Sequence, residues 1–156
     1  MTSLTEHPFD LSVTRHIAAP PDAVWHAMTQ QMALWWCPRP WQTEIIEQDK
    51  RPGGRCAMVM RGPNGEESAI EGVYLDYQPG VRFVFTDAFR ADFAPHDPPF
   101  MVGIFAIATE GDGTRYTATA RHWTQAARDQ HHDMGFTDGW TQCMDQLAEL
   151  FPPTAA

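Results

Sequence analysis

The chain has 156 residues, 43% of them hydrophobic, and a formal charge of −9 from eleven basic and twenty acidic side chains. That length holds one domain with a sizeable core and is too short for two, and no apolar run approaches the roughly 18 residues of a membrane-spanning helix. With Lys50 the single lysine, the charge balance speaks against a nucleic-acid backbone as partner and against insertion into an anionic bilayer.

The start, MTSLTEHPFD, lacks the basic stretch and apolar region of a secretory leader, so cytoplasmic residence is the expectation. Phe9 to Ile17 alternates apolar and polar residues and reads as a strand. Ala18-Ala19-Pro20-Pro21 interrupts it. Pro21 and Asp22 suit a helix start, and Val24, Trp25 and Met28 give an apolar face, which predicts a short helix over Pro21 to Thr29. A second short helix over Gln31 to Trp36 ends ahead of Pro38 and Pro40, since proline cannot continue the hydrogen-bond ladder. Trp35, Trp36 and Trp41 therefore gather around a rigid connection.

The next apolar segments run from Trp41 to Glu47, Arg55 to Met60, Ser68 to Tyr77, Val81 to Thr86, Phe100 to Ala108 and Thr114 to His122. Turn sequences such as Pro52-Gly53-Gly54, Gly62-Pro63-Asn64-Gly65, Pro79-Gly80 and Gly111-Asp112-Gly113 separate most of them. Successive hairpins make an antiparallel meander the simplest topology, and the first strand brings the sheet to seven. Alternation assigns Cys56, Met58 and Met60, Ile70, Gly72 and Tyr74, Val81, Phe83 and Phe85, Val102, Ile104 and Ala106, and Tyr116, Ala118 and Ala120 to the drier face. Asp87 to Pro99 is an irregular connection whose Phe89 and Phe93 either rim a pocket or merely anchor the excursion.

Thr124 to Phe151 reads as one long helix, capped by Thr124 and stopped by Pro152-Pro153. At about 100° per residue, Phe136, Trp140, Cys143, Met144, Leu147, Leu150 and Phe151 form its sheet-facing stripe. The same projection carries Asp129, His132 and Asp133 onto the continuation of that stripe, where a dry core would be costly and a cavity mouth is expected instead. Gly135 and Gly139, beside the stripe, either admit close backbone approach or leave volume for a ligand.

Candidate ligand-binding residues are Trp35, Trp36, Trp41, Met58, Met60, Tyr74, Phe83, Phe85, His122, His132, Phe136 and Trp140, with core packing the competing reading for each aromatic ring. For acid–base chemistry the candidates are His132 or His122 with Asp133 or Asp129, since a carboxylate can tune an imidazole near neutrality. His96 arrives from the irregular loop. Adjacent His131 and His132 point about 100° apart on a helix, and HExxH, HxH and cysteine-pair motifs are all lacking, so neither metal nor cofactor is expected. Cys37, Cys56 and Cys143 are odd in number and widely spaced, as reduced structural thiols are.

The order of VTRHIAAPPDAVWHAMT, LWWCP, RPGGR, EGVYLDYQPGVRFVFT, DGTRYTATA and HHDMGFTDGWTQCMDQLAEL resembles the START-like, helix-grip superfamily, specifically the bacterial homologues of the C-terminal domain of the heat-shock-protein-90 ATPase activator. The resemblance implies an α+β fold: a seven-stranded curved antiparallel sheet wrapped around a long C-terminal helix, with two short helices after strand 1. It implies one domain over 1–156 with its core at about 9–151, and a hydrophobic cavity between sheet and helix. Superfamily relatives bind lipids, hormones or polyketides, and some are cyclases or hydroxylase components, whereas the activator branch binds a chaperone. The eukaryotic activator carries an additional N-terminal domain for which this chain has no room. The leading expectation is a cytoplasmic binding protein for a small hydrophobic or aromatic molecule. A cyclase- or aromatase-like enzyme and a chaperone-interacting adaptor are the alternatives, and monomer and homodimer both stay open.

Overall fold

A computed structural model describes residues 4–152. In chain order the elements are β1 (Asp10–Ile17), α1 (Pro21–Gln30), α2 (Met32–Trp35), β2 (Gln42–Gln48), β3 (Arg55–Arg61), β4 (Glu67–Gln78) and β5 (Arg82–Thr86). A small hairpin of β6 (Phe89–Arg90) and β7 (Ala94–Pro95) follows, then β8 (Val102–Glu110), β9 (Gly113–Arg121), α3 (Gln125–Asp133) and α4 (Phe136–Glu149).

Seven strands form one antiparallel sheet in the order β1-β9-β8-β5-β4-β3-β2. From β2 to β9 the chain moves to the neighbouring position at each turn, as a meander does, and β1 closes the far edge against β9. Bulges at Ile46 and Leu75 interrupt the β2–β3 and β4–β5 registers, and both bulged side chains are exposed. An extra residue in one strand bends it and increases the twist, which curves the sheet around α1, α2 and α4. The core inside that curve joins Leu11, Val13 and Ile17 of β1 to Trp35, Tyr116, Phe136 and Leu147. This is the helix-grip arrangement.

Three local features depart from expectation. In β8 the inward residues are Phe105 and Ile107, which join the core, while Ile104 and Ala106 line a groove on the outer face. The run VGIFAIA is apolar on both faces, so alternation has no sign there; pairing of Phe105 with Phe83 and Ala118 sets the register. Between Asp87 and Pro99 the chain builds the β6–β7 hairpin instead of an irregular loop, with Asp92 and Phe93 both in the left-handed region at φ 62° and 61°. Asp87 closes its base by accepting hydrogen bonds from the amides of Phe100 and Met101 at 2.9 and 3.1 Å.

The third departure is the C-terminal helix, which is two helices. Thr124 caps α3 as expected, its hydroxyl accepting from the Ala127 amide at 3.0 Å. Gly135 then adopts φ 96° and its amide donates to the His132 carbonyl at 3.0 Å, a left-handed helix stop that a side chain would strain. Four residues on, Gly139 has ordinary room, since an added Cβ would meet nothing closer than Pro38 Cγ at 3.9 Å. Of the proline pair placed at the end, Pro152 is described and Pro153 lies outside the described residues.

Candidate functional site

Between the sheet and α2 lies an apolar cavity of about 40 Å³, to which neither C-terminal helix contributes a lining side chain. Phe83 and Phe85 of β5, Cys56 and Met58 of β3 and Ile70 of β4 form its floor, and Met32, Trp36, Met101 and Phe105 complete it. The wall is built by ring stacking. Phe83 lies parallel to Phe105 with centroids 4.8 Å apart, Phe105 lies parallel to Trp140 at 5.5 Å, and Trp36 meets the edges of Phe105 and Trp140 at 5.8 and 5.3 Å. Offset and edge-on contacts of this kind align the ring quadrupoles favourably.

Two polar anchors hold this wall. Gln146, buried on α4, donates through Nε2 to the carbonyls of Trp35 and Cys37 at 2.8 and 2.9 Å and so fixes the backbone on both sides of Trp36. Its Oε1 accepts from the Arg39 amide at 2.9 Å. On the other side, Asp87 and the Thr86 hydroxyl, which donates to the Met101 carbonyl at 3.0 Å, pin the start of β8.

The expected aromatic and methionine residues divide by place. Trp36, Met58, Phe83 and Phe85 line the cavity. Trp35 is fully buried against Tyr116, with its indole N–H donating to the Ala27 carbonyl at 3.1 Å, and Trp41 and Met60 are half-buried away from the lining. Tyr74 is buried behind the floor, in hydrogen-bond contact with Cys56. Burial pushes the Cys56 thiol up to about 11 and the Cys143 thiol up to about 12. Neither is a ready nucleophile, and all three cysteines are free and buried.

The ionisable candidates separate. His132 and Asp133 contact each other on the surface, with side chains 58% and 82% exposed, and Asp129, 53% exposed, pairs with Arg128. The helix break turns α3 so that His131, one residue earlier, occupies the sheet-facing position. His131 packs against Phe100, Phe136 and Trp140 and meets buried His122 at 2.8 Å between Nδ1 and Nε2. Phe136 and Trp140 thus pack on His131, half-buried His96 stands apart on the loop, and the expected His–carboxylate pair inside the cavity does not form. Met32, Cys56, Ile70, Met101, Phe105, His131 and Gln146 are site residues that the sequence reading missed.

A larger groove of about 630 Å³ lies on the outer face of the sheet, among Ser12, Thr14, Thr117 and Thr119. Arg82, Arg115 and Arg121 at its margins are ion-paired with Asp76, Glu110 and Asp10. It lies on the face of the sheet away from the helices, and its lining is mostly polar where the smaller cavity's is apolar. Among the described residues no helix is long and apolar enough to cross a membrane, and no three His, Cys, Asp or Glu side chains converge as metal ligands.

The family model described as Activator of Hsp90 ATPase homolog 1-like protein matches residues 18–152. A protein of Nitrosomonas europaea with a solved structure is 34% identical and superposes with a TM-score of 0.82, covering 90% of this chain and 92% of that one. One from Mycobacterium smegmatis is 28% identical with a TM-score of 0.78, covering 95% of this chain and 93% of the other. An Arthrobacter aurescens protein, 19% identical over 95% of this chain and 90% of its own, shares the fold at a TM-score of 0.79. Comparison with curated proteins returns no match.

Proposed function

The chain belongs to the family of Activator of Hsp90 ATPase homolog 1-like proteins, and on that premise we propose that it is a cytoplasmic protein that binds a small hydrophobic or aromatic molecule in the cavity between the sheet and α2, rather than against the C-terminal helix as expected. The observation that carries this reading is the cavity under the sheet's inner face, whose surface is apolar throughout and three of whose nine lining side chains are methionines. At about 40 Å³ it is far below the roughly 300–1,000 Å³ of drug-sized ligand pockets. Entry of a ligand therefore requires the wall to move. Met32, Met58 and Met101 are suited to that, because an unbranched thioether changes rotamer at small cost.

Small aromatic probes such as indole should raise the melting temperature in a saturable way, by about 5 to 10 °C near 100-fold Kd, the stabilisation expected when only the folded state binds. Filling the cavity with Met58→Phe should abolish the shift while the protein stays folded. Absence of any shift both in wild type and in Met101→Ala, which enlarges the cavity, would overturn the reading. The cyclase-like alternative has weaker support, since the carboxylates proposed as partners stand on the surface.

Chaperone binding is the second reading, and the observation that favours it is Phe93, 81% exposed at the tip of the β6–β7 hairpin beside the 39% exposed Phe89. Exposed aromatic side chains at a hairpin tip suit a protein partner. The protein should then stimulate the ATPase of a purified Hsp90-type chaperone about twofold or more, with the gain lost in Phe93→Ser. Equal ATPase rates with and without the protein would reject it.

A further inference from the structure

The β6–β7 hairpin leaves a groove of about 320 Å³ between itself and β4, at the lower end of the size range of small-ligand sites. Backbone pairing fixes its floor. The Gly53 amide donates to the Tyr74 carbonyl at 2.7 Å and the Tyr74 amide to the Gly54 carbonyl at 3.0 Å, which ties the β2–β3 turn to β4. Val73 lines the groove, buried but outside the main core, beside Leu75, which the β4 bulge leaves 46% exposed. Phe89 and Phe93 line the hairpin side, and Phe93 reaches Gly53, where an added Cβ would lie 3.7 Å from its ring.

Into these apolar walls Arg90 brings one positive charge. Its Nη1 donates to the Glu71 carbonyl at 2.8 Å and to the Asp87 carbonyl at 3.0 Å, which uses both protons of that nitrogen. Nε and Nη2 remain, the two donors that fork onto a carboxylate. Among the described residues no buried side-chain nitrogen lacks a partner, so these two meet solvent. The Glu71 carboxylate pairs with Arg55 at 3.2 Å, that of Asp87 accepts the Phe100 and Met101 amides, and Asp92, exposed at the hairpin tip, makes no ion pair with Arg90. Arg90 is thus the one arginine among the described residues with no carboxylate at ion-pair distance. We infer that the groove binds a monocarboxylic acid of the fatty-acid type, its carboxylate on Arg90 Nε and Nη2 and its apolar chain along Leu75, Phe89 and Phe93. One cation among apolar walls matches one anionic head on an apolar body, and the formal charge of −9 opposes a ligand with more negative charge. The site is separate from the inner cavity and does not depend on that cavity taking a ligand; with the chaperone reading it shares only Phe89 and Phe93.

The test titrates octanoate, octanol and octylammonium calorimetrically into the full chain at pH 7. Octanoate should bind about tenfold tighter than octanol, as charge-assisted bonds to a partly exposed arginine allow, and octylammonium weakest. In Arg90→Met the preference for octanoate should vanish, and in Leu75→Ser octanoate and octanol should weaken alike, by about threefold. Saturating indole, the probe of the inner cavity, should leave the octanoate affinity unchanged. In the wild type the 15Nε resonance of Arg90 should shift with octanoate and move far less with octanol, a readout independent of whether a variant folds. Equal binding of octanoate and octanol, or an Arg90 Nε resonance unmoved at saturating octanoate, overturns the site. Displacement of octanoate by indole also overturns it while supporting the cavity reading, and failure of octanoate to bind overturns the groove alone, since the cavity reading stands or falls with indole.

Discussion

Replacing Gln146 with leucine is expected to destabilise the protein by about 3 kcal/mol or more and to lower its melting temperature by roughly 6 to 12 °C. Gln146 is 3% exposed and makes four hydrogen bonds: to the carbonyls of Trp35 and Cys37, from the Arg39 amide, and from Gln142 Nε2 at 3.2 Å. Leucine fills nearly the same volume, so little is lost in packing. What is lost is the partner of two carbonyls and one amide, at about 1–3 kcal/mol for each group left buried and unpaired. The backbone on either side of Trp36 would lose its tether to α4, so the near-ultraviolet circular dichroism of the stacked tryptophans should weaken in step. Urea denaturation of both proteins measures the change. A drop below about 1 kcal/mol would mean that these groups find other partners and that Gln146 does not hold the wall.

That residue also marks where sequence reasoning stopped. The sheet was legible because Pro-Gly, Asn-Gly and Gly-Asp-Gly turns punctuate it and each hairpin leaves little choice of neighbour; only the sign of β8 was lost, where both faces are apolar. The stripe on the terminal helix is defined by apolar residues alone, and Gln146, next to Leu147 and three residues past Cys143, has no apolar signal that would place it there. A buried glutamine is recognised by the carbonyls it meets, and those belong to a segment more than a hundred positions away.

The candidate site depended on one glycine. Read as helix interior, Gly135 costs only propensity and the projection runs straight through it; read as a left-handed stop, it ends α3 and frees that helix to rotate. On a helix, one residue is about 100°, which is the difference between His132 on the surface and His131 against His122. The sequence carries HHDMG with both readings open. At the expected break from apolar to ionisable surface near Asp129 to Asp133, the buried group is a single imidazole facing another imidazole, with the carboxylates in water.

Acidification from pH 7 to pH 4 is expected to cost the wild-type protein up to about 3 kcal/mol more than it costs His131→Asn. Burial lowers the folded-state pKa of His131 from its ordinary 6.5 to about 4. Between those values the unfolded chain binds a proton that the folded chain refuses, so stability is full above pH 6.5, falls as the pH drops towards 4, and levels off below. At about 1.4 kcal/mol per pH unit for one proton, that interval gives the stated loss. Asparagine does not titrate, and its amide can still donate to His122 Nε2, so the variant keeps the inner bond and loses the linkage. Acid titration of carboxylates elsewhere acts on both proteins and cancels in the comparison. Urea midpoints at pH 7, 6, 5 and 4 give the two curves; parallel curves would show that His131 takes up its proton in the folded state without penalty. Divergence by nearly one proton between pH 6 and 5 would show that burial keeps the His131 imidazole neutral in the folded state, at a cost in stability that the fold bears as the pH falls.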